Sequence, residues 1–464
     1  MRIFDHHIPL PVFVLILVEA AIIWVSLTLG HVIAEAVQLV PAGYRGSGWG
    51  FYSCTIAAGA LLVCIAAMGL YRIALRARFA GVVARLLVAF VLTALVLPFV
   101  YYVLPPLYIH PLIMLLSTGI AFTALCGVRL AFLKLIDESL FKRRILVLGA
   151  GKRAEQFLKL RRMADQRGFK LVRYISMPSD AQAELPAKRV MDMPGNLHDF
   201  VREERISEIV IALDDRRGSL PVRELLECRL AGIDVTDVMN FLERETGKVN
   251  LELVRPSWFV FEAGFRRQLP RRIAQRVFDV VASSVLVVLT APIMLGTAIA
   301  ILLEDGAPIF YRQRRVGQNS TLFDVLKFRS MRTDAEASGE AVWATPDDAR
   351  VTRVGRIIRK LRFDELPQLF NVLGGSMSMV GPRPERPEFV EKLRTDLPYY
   401  MERHRVKPGI TGWAQLCYPY GSSQKDAFEK LQYDLYYVKN RTLLFDIIIL
   451  LQTAEVVLWQ KGAR

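Results

Sequence analysis

The stretch RKLRFDELPQLFNVLGGSMSMVGPRPE, Arg359–Glu385, concentrates more unusual chemistry than any other part of this 464-residue chain. It sets two adjacent carboxylates, Asp364 and Glu365, among Arg359, Lys360, Arg362 and Arg383, with Gly374 and Gly375 in between. Proline is tolerated in the first turn of a helix but not in its interior, so Pro367 predicts a helix that starts at Asp364 and stops at Gly374-Gly375. The carboxylates then lie at a helix N-terminus, where unpaired N–H groups and a partial positive charge stabilise carboxylates and phosphates alike. Arg383 stands between Pro382 and Pro384, whose restricted φ angles fix a guanidinium in place. The residue mix suits metal-assisted phosphoryl chemistry; a capped and salt-bridged helix start would use the same Asp-Glu pair for structure alone.

Two further blocks flank this stretch, KFRSM (Lys327–Met331) and KPGITGWAQ (Lys407–Gln415), and it ends on a third, MSMVGPRPE (Met377–Glu385). With DELPQLFNVL (Asp364–Leu373), and in this order, they resemble the bacterial sugar-transferase domain of polyprenyl-phosphate hexose-1-phosphate transferases, the monotopic phosphoglycosyl transferases. The resemblance implies two substrates, a cytosolic nucleotide-diphosphate sugar and a polyprenyl phosphate held in the membrane. Sugar 1-phosphate passes to the lipid and a nucleoside monophosphate leaves. It places a nucleophile on Asp364, giving an acyl phosphate, with Glu365 assisting the metal or the proton traffic. Arg383 is expected to clamp phosphate, with Lys327, Arg329 and Arg362 supporting the same charge. Hard cations take carboxylate ligands, so Mg²⁺ is expected on Asp364 and Glu365. One departure stands out: Ala291 precedes Pro292 where small family members have a serine before the kink proline.

The composition agrees with a partly membrane-embedded chain. Hydrophobic residues make up 53%, the formal net charge is +15 and the mean hydropathy is +0.29. Basic residues are spread between apolar segments and glycine-rich blocks, with no RNP motif, zinc-finger spacing or helix-turn-helix pattern, which argues for an anionic membrane surface and phosphorylated substrates rather than nucleic acid. The five cysteines show no CxxC spacing and are assigned to packing.

Four apolar segments open the chain, at roughly Val12–Leu29, Phe51–Leu70, Val82–Leu104 and Ile109–Leu133, each near the ~20 residues that span a bilayer. Glu19 and Arg85 are the ionisable residues noted inside them, with no polar partner in register. Arg72, Arg76 and Arg78 after the second segment, and Lys134, Lys142, Arg143 and Arg144 after the fourth, place both ends of this four-helix transmembrane bundle in the cytoplasm by the positive-inside rule. ILVLGAGKRA, Ile145–Ala154, is then a buried strand running into Gly149-x-Gly151-x-x-Ala154 and a basic amphipathic helix, the opening of a Rossmann-like α/β domain. Further strands are expected at Leu171–Ile175, Glu208–Leu213 and Asp234–Val238.

The domains expected are therefore 1–140 (bundle), 141–245 (Rossmann-like), 246–270 (linker) and 271–464, a mostly helical catalytic domain. Within the last, the apolar run 277–303 is expected as a re-entrant membrane helix kinked at Pro292, which keeps both basic flanks on one surface. Leu443–Trp459 is expected as an interfacial or packed amphipathic helix. The protein is placed in the bacterial inner membrane, multi-pass, with its catalytic domain on the cytoplasmic face; a homo-oligomer and polysaccharide assembly proteins are expected among its partners. Two rivals are a membrane-anchored NAD-dependent sugar-modifying enzyme and a noncatalytic scaffold of a polysaccharide assembly system. The first needs a Tyr-x-x-x-Lys pair and a ribose-binding acid, neither of which is found in 145–245; the second has no use for Asp364, Glu365 and Arg383 in one cluster.

Overall fold

The computed structural model describes residues 2–3, 6–7, 10–38, 50–71, 79–135, 142–160, 168–178, 180, 185–215, 220–254, 256–261, 269–332, 350–418, 421 and 423–458. The helices used below are α1 (Leu10–Ala36), α2 (Gly50–Ala67), α3 (Phe79–Val103), α4 (Pro111–Leu135), α5 (Lys152–Glu155), α6 (Leu197–Glu203), α7 (Val222–Leu230) and α8 (Val238–Thr246), then α9 (Leu269–Asp305), α10 (Arg353–Lys360), α11 (Gln368–Gly374), α12 (Pro387–Asp396), α13 (Gln424–Asn440) and α14 (Leu443–Leu458). The strands are β1 (Arg143–Leu148), β2 (Phe169–Ser176), β3 (Val190–Asp192), β4 (Glu208–Ile211), β5 (Asp234–Asp237), β6 (Phe310–Val316), β7 (Leu322–Phe328), β8 (Ser378–Val380) and β9 (Gly409–Thr411). The chain forms two compact units: Met1–Leu135 with Arg267–Ser422 and Asn440–Arg464, and Ile136–Arg266 with Ser423–Lys439.

In the second unit, β1 to β5 form a parallel sheet in the spatial order β3-β2-β1-β4-β5, the doubly wound arrangement. The central strand is buried on both faces, which is why it reads as a continuous apolar run. Ile145 and Val147 pack with Phe157, Tyr174 and Phe241 on one side. Leu146 and Leu148 pack with Leu197 of α6 and Leu225 and Cys228 of α7 on the other. The glycine turn forms as expected: Gly149 has φ +119°, and a Cβ there would fall 2.6 Å from the Ala212 carbonyl oxygen. Its amides, however, are occupied by the protein's own carboxylates. Asp214 accepts from the Lys152 and Arg153 N–H groups, each at 2.9 Å, and Asp180 from those of Ala150 at 2.7 Å and Met177 at 2.9 Å. A nucleotide phosphate would have to displace both.

The compact units divide the chain differently from the expected limits. Of the span 271–464, α13 up to Lys439 lies in the α/β unit, as do residues 246–254 and 256–261 of the expected linker, whereas 269–270 lie in the first unit. The reason is hydrogen bonding along the seam: the Val249 N–H donates to the Gln432 carbonyl at 3.1 Å, Lys248 meets Glu429 at 2.8 Å and Lys439 meets Glu243 at 2.9 Å.

In the first unit, five helices among the described residues are long and apolar enough to cross a membrane, α1 to α4 in part or whole and α9. Glu19 does have a partner. Arg129 of α4 donates to both its oxygens, the second at 2.9 Å, and the Tyr71 hydroxyl donates to it at 2.6 Å. Buried charge survives in an apolar bundle only when paired in this way. Of the basic residues used for orientation, Arg72, Arg76 and Arg78 lie outside the described residues.

Helix α9 runs unbroken in its assignment for 37 residues with Pro292 inside. Thr290 donates to the Leu286 carbonyl at 2.7 Å. Near its start, Asp279 is buried and accepts from the Ser378 hydroxyl at 2.9 Å and the Met379 N–H at 3.0 Å, while Arg276 donates to the Val372 and Leu373 carbonyls, both at 2.6 Å, closing the end of α11. Near its finish, Glu304 caps α10 by accepting from the Arg353 and Val354 N–H groups at 2.8 and 2.9 Å, and Met294 and Ile301 pack with Phe328 and Ile358. Both ends of α9 are thus tied to one small polar domain. Helix α14 is a packed helix: its buried Asp446 accepts from Gln275 of α9 at 3.3 Å, and Phe445 meets Trp413 edge to face.

Candidate active site

Asp364 and Glu365 occupy a single 3₁₀ turn, Phe363–Glu365, between α10 and α11. The sequence pattern expects them at the N-terminus of the following α-helix; instead α11 begins at Gln368, and only its stop is as expected, with Gly375 at φ +85°. The displacement follows from Arg362, which adopts the left-handed region at φ 61°, ψ 19° and so breaks the chain direction after α10. Such a conformation is costly for a non-glycine residue and is found where the surroundings over-determine it. Here Phe363 and Leu366 are pinned against the cluster of Met294, Ile301, Phe328 and Ile358. That anchoring leaves the two acidic side chains between them to face the cations.

Three of those cations converge on one oxygen. Arg383 Nη2 donates to Glu365 Oε1 at 3.2 Å, with Lys327 Nζ at 3.7 Å and Arg362 Nη1 at 3.8 Å. Lys327 comes from β7, in the hairpin it forms with β6. Arg383 is carried by the Pro-Arg-Pro turn after β8, and its carbonyl accepts from Arg403 at 2.9 Å. Arg315 of β6 donates to the next carbonyl, that of Pro384, at 3.2 Å. The turn is locked from below because Gly381 lies against the adjoining strand; a Cβ there would fall 2.3 Å from the Lys407 carbonyl oxygen.

The two carboxylates are driven apart electrostatically. Burial raises the Glu365 pKa, but Arg383, Lys327 and Arg362 outweigh it and hold it at about 2. Asp364 goes the other way: burial and the neighbouring Glu365 charge push it above the usual carboxylate range, against the weaker pull of Lys327, Arg362 and Arg359. Its Oδ1 is buried without a hydrogen-bond partner. Burial lowers the Lys327 pKa against the attraction of Glu365, whereas Glu365 raises that of Arg383. Divergent environments for adjacent acids are a mark of catalytic sites.

Of the residues singled out in the sequence, Asp364, Glu365, Lys327, Arg362 and Arg383 are brought together. Arg329 is not. It is buried and donates to the carbonyls of Asp305 and Gly306 at 2.8 and 2.7 Å, closing the end of α9. Strand β7 ends at Phe328, so Arg329 escapes the alternation that would have placed it beside Lys327. Arg315 and Arg403, not singled out in the sequence, hold the backbone that carries Arg383 by donating to the Pro384 and Arg383 carbonyls. Among the described residues no group of three or more His, Cys, Asp or Glu side chains gathers to hold a metal.

Residues 270–460 match the family model described as bacterial sugar transferase, and residues 66–224 one described as CoA-binding domain. The UDP-glucose:undecaprenyl-phosphate glucose-1-phosphate transferase of Escherichia coli (strain K12) is 32% identical over 324 residues, 67% of each chain. The chain belongs to the bacterial sugar transferase family. Another family relative, the UDP-N-acetylgalactosamine-undecaprenyl-phosphate N-acetylgalactosaminephosphotransferase of Aeromonas hydrophila, is 42% identical over 254 residues, 54% of this chain and 58% of that protein. The chain thus spans less than two thirds of that relative's length. An uncharacterized sugar transferase of Bacillus subtilis (strain 168) is 40% identical over 196 residues, 41% of this chain but 91% of its own length. In the family's terms, the site described here lies wholly in the matched C-terminal segment.

The opposite pKa shifts have opposite consequences for stability. Glu365 is depressed, so its ionised form stabilises the fold above the unfolded value of about 4.3, and that contribution is lost as pH falls toward the folded value. Asp364 is raised, so its ionised form opposes folding at neutral pH. At pH 7, Asp364→Asn is expected to raise the unfolding midpoint of the purified protein and Glu365→Gln to lower it. Thermal scans of the two variants across pH check this, and midpoints shifting in the same direction would contradict it.

Proposed function

We propose that the protein transfers sugar 1-phosphate from a nucleotide-diphosphate sugar to undecaprenyl phosphate, with Asp364 as nucleophile. One observation carries this: a buried Asp364 oxygen without a partner, beside a glutamate whose charge is already engaged by Lys327, Arg362 and Arg383. An Asp364 oxygen attacks the sugar-bearing phosphorus, the bond from that phosphorus to the nucleoside monophosphate oxygen breaks, and the electron pair leaves with the monophosphate. The lipid phosphate oxygen then attacks the same phosphorus and returns the carboxylate. Arg383 and Lys327 offset charge on the transferring group, the largest barrier term in such transfers. Mg²⁺ suits this donor set, since it commonly takes one or two carboxylates and completes its shell with substrate phosphates and water. Asp364 and Glu365 would hold it, and when bound it would neutralise the diphosphate.

The membrane arrangement belongs to the same reading. α1 to α4 form a transmembrane bundle in the bacterial inner membrane, and α9 enters and leaves on the cytoplasmic face, kinked at Pro292. What supports re-entry is that Arg276 and Asp279 near one end, and Glu304 and Asp305 near the other, engage the same polar domain. A crossing would place those attachments about 30 Å apart on opposite sides of the hydrocarbon.

The test is chemical. In detergent with undecaprenyl phosphate, Mg²⁺ and a panel of nucleotide sugars, the protein should release a nucleoside monophosphate, Asp364→Asn should lose at least about 100-fold in rate, and nucleotide sugar alone should leave a hydroxylamine-labile phosphosugar on the wild type. Near wild-type turnover by Asp364→Asn would refute the assignment. For the topology, cysteines placed at Gly306 and at Ile273 should both be labelled from the cytoplasmic side; periplasmic labelling at Gly306 would establish a crossing instead.

A further inference from the structure

A second polar recess lies at the far end of the two elements that carry the site. It is an open pocket of about 250 Å³ whose walls include Gln318, Asn319, Phe323, Gly375, Ser376 and Lys407. Gly375 and Ser376 follow α11, whose other end follows Glu365; seven helical residues separate them by about 10 Å. Phe323 and Lys327 stand four residues apart on the same face of β7, about 13 Å. Two independent elements thus set the pocket away from the site, by about 10 Å along α11 and about 13 Å from Lys327 along β7.

Its charge is unbalanced. The Lys407 ammonium is half-buried and has neither an ion pair nor a hydrogen bond among the described residues. Burial lowers its pKa, as do Arg276 and Arg272, with only Asp279 opposing. Both of the donors facing Asp279 Oδ1, the Ser378 hydroxyl and the Met379 N–H, are already engaged with it. Arg276 packs against Gly375, its guanidinium 3.6 Å from where a Cβ would stand. A half-buried cation with no direct ion pair, and with a single acid opposing two neighbouring arginines, gains from an anion bound beside it, and a lysine at the wall of a pocket meets phosphate as a compact point charge. Gln318, which spends one amide hydrogen on the Arg405 carbonyl at 3.0 Å, keeps a second for a ligand oxygen. The Phe323 ring offers an apolar wall for whatever the phosphate carries.

We propose that this pocket is a second phosphate-binding site, separate from the carboxylate pair, in which Lys407 and Gln318 hold a phosphate mono- or diester. At roughly 10 Å from Glu365, the group it holds is not the one that Asp364 attacks. The site stands on its own charge and geometry, independently of the proposed transfer reaction. Its phosphate comes either from a soluble ester or from an anionic lipid headgroup, and the experiment separates the two.

The full-length protein is placed in nanodiscs of phosphatidylcholine and treated with an amine-acylating reagent, and labelling of Lys407 is measured by peptide mass spectrometry against the exposed Lys392 of α12. One arm adds inorganic phosphate or uridine monophosphate; the other replaces part of the phosphatidylcholine with phosphatidylglycerol. Ligand at ten times its dissociation constant should slow Lys407 labelling about tenfold relative to Lys392. Protection in the first arm assigns a soluble phosphate, and protection in the second a lipid headgroup. Gln318→Glu, which supplies an internal carboxylate, should abolish protection in whichever arm shows it. Equal labelling in all conditions, or protection that persists in Gln318→Glu, would overturn the proposal.

Discussion

The site depends on one unequal division of charge. Lys327, Arg362 and Arg383 all engage Glu365, and none lies within ion-pair distance of Asp364 among the described residues. Had they been shared, both acids would be ordinary surface-type ion pairs, worth little and chemically inert. Because they are not, Glu365 stays ionised far below neutral pH while Asp364 keeps a desolvated oxygen. The backbone enforces the division: Arg362 in the left-handed region, Phe363 and Leu366 half-buried against the apolar cluster, and the two acids side by side in one turn.

Everything that positions this turn converges on α9. Its early residues hold the end of α11 and the start of β8, and its late residues cap α10 and pack beneath the turn itself. The cationic wall is held separately, by β6 and β7 for Lys327 and by Arg315 and Arg403 for the Pro-Arg-Pro turn. The long apolar helix is therefore also the beam on which the acids are mounted, so a change in its geometry reaches Asp364 through a few direct contacts.

Most of the site was legible in the sequence, because its chemistry demands rare residues close together: an acid pair, a proline-flanked arginine and a lysine in a strand. The α/β unit was legible from the apolar run of β1 and its glycine turn, although the short edge strand β3, Val-Met-Asp, carries no period to read. What escaped depends on partners far apart in sequence. Arg129 lies in an apolar stretch and finds Glu19 only once α1 and α4 pack. Helix α13 looks like part of the domain that precedes it, yet its Gln432 bonds to Val249. Arg329 sits in the same motif as Lys327 and is separated from it by the end of a strand. The left-handed Arg362 has no compositional signal at all, since glycine or asparagine is the usual occupant of that conformation.

The division of charge can be observed directly by difference infrared spectroscopy of the full-length protein, following the carboxyl band that Asp364→Asn removes as the pH is varied. The account predicts that this band titrates above the usual aspartate value of about 3.9 in the wild type, and that it moves down in Glu365→Gln, where a repelling charge is lost and Lys327 and Arg383 are released. A band that titrates at or below the usual value in the wild type, or that moves up in Glu365→Gln, would contradict it.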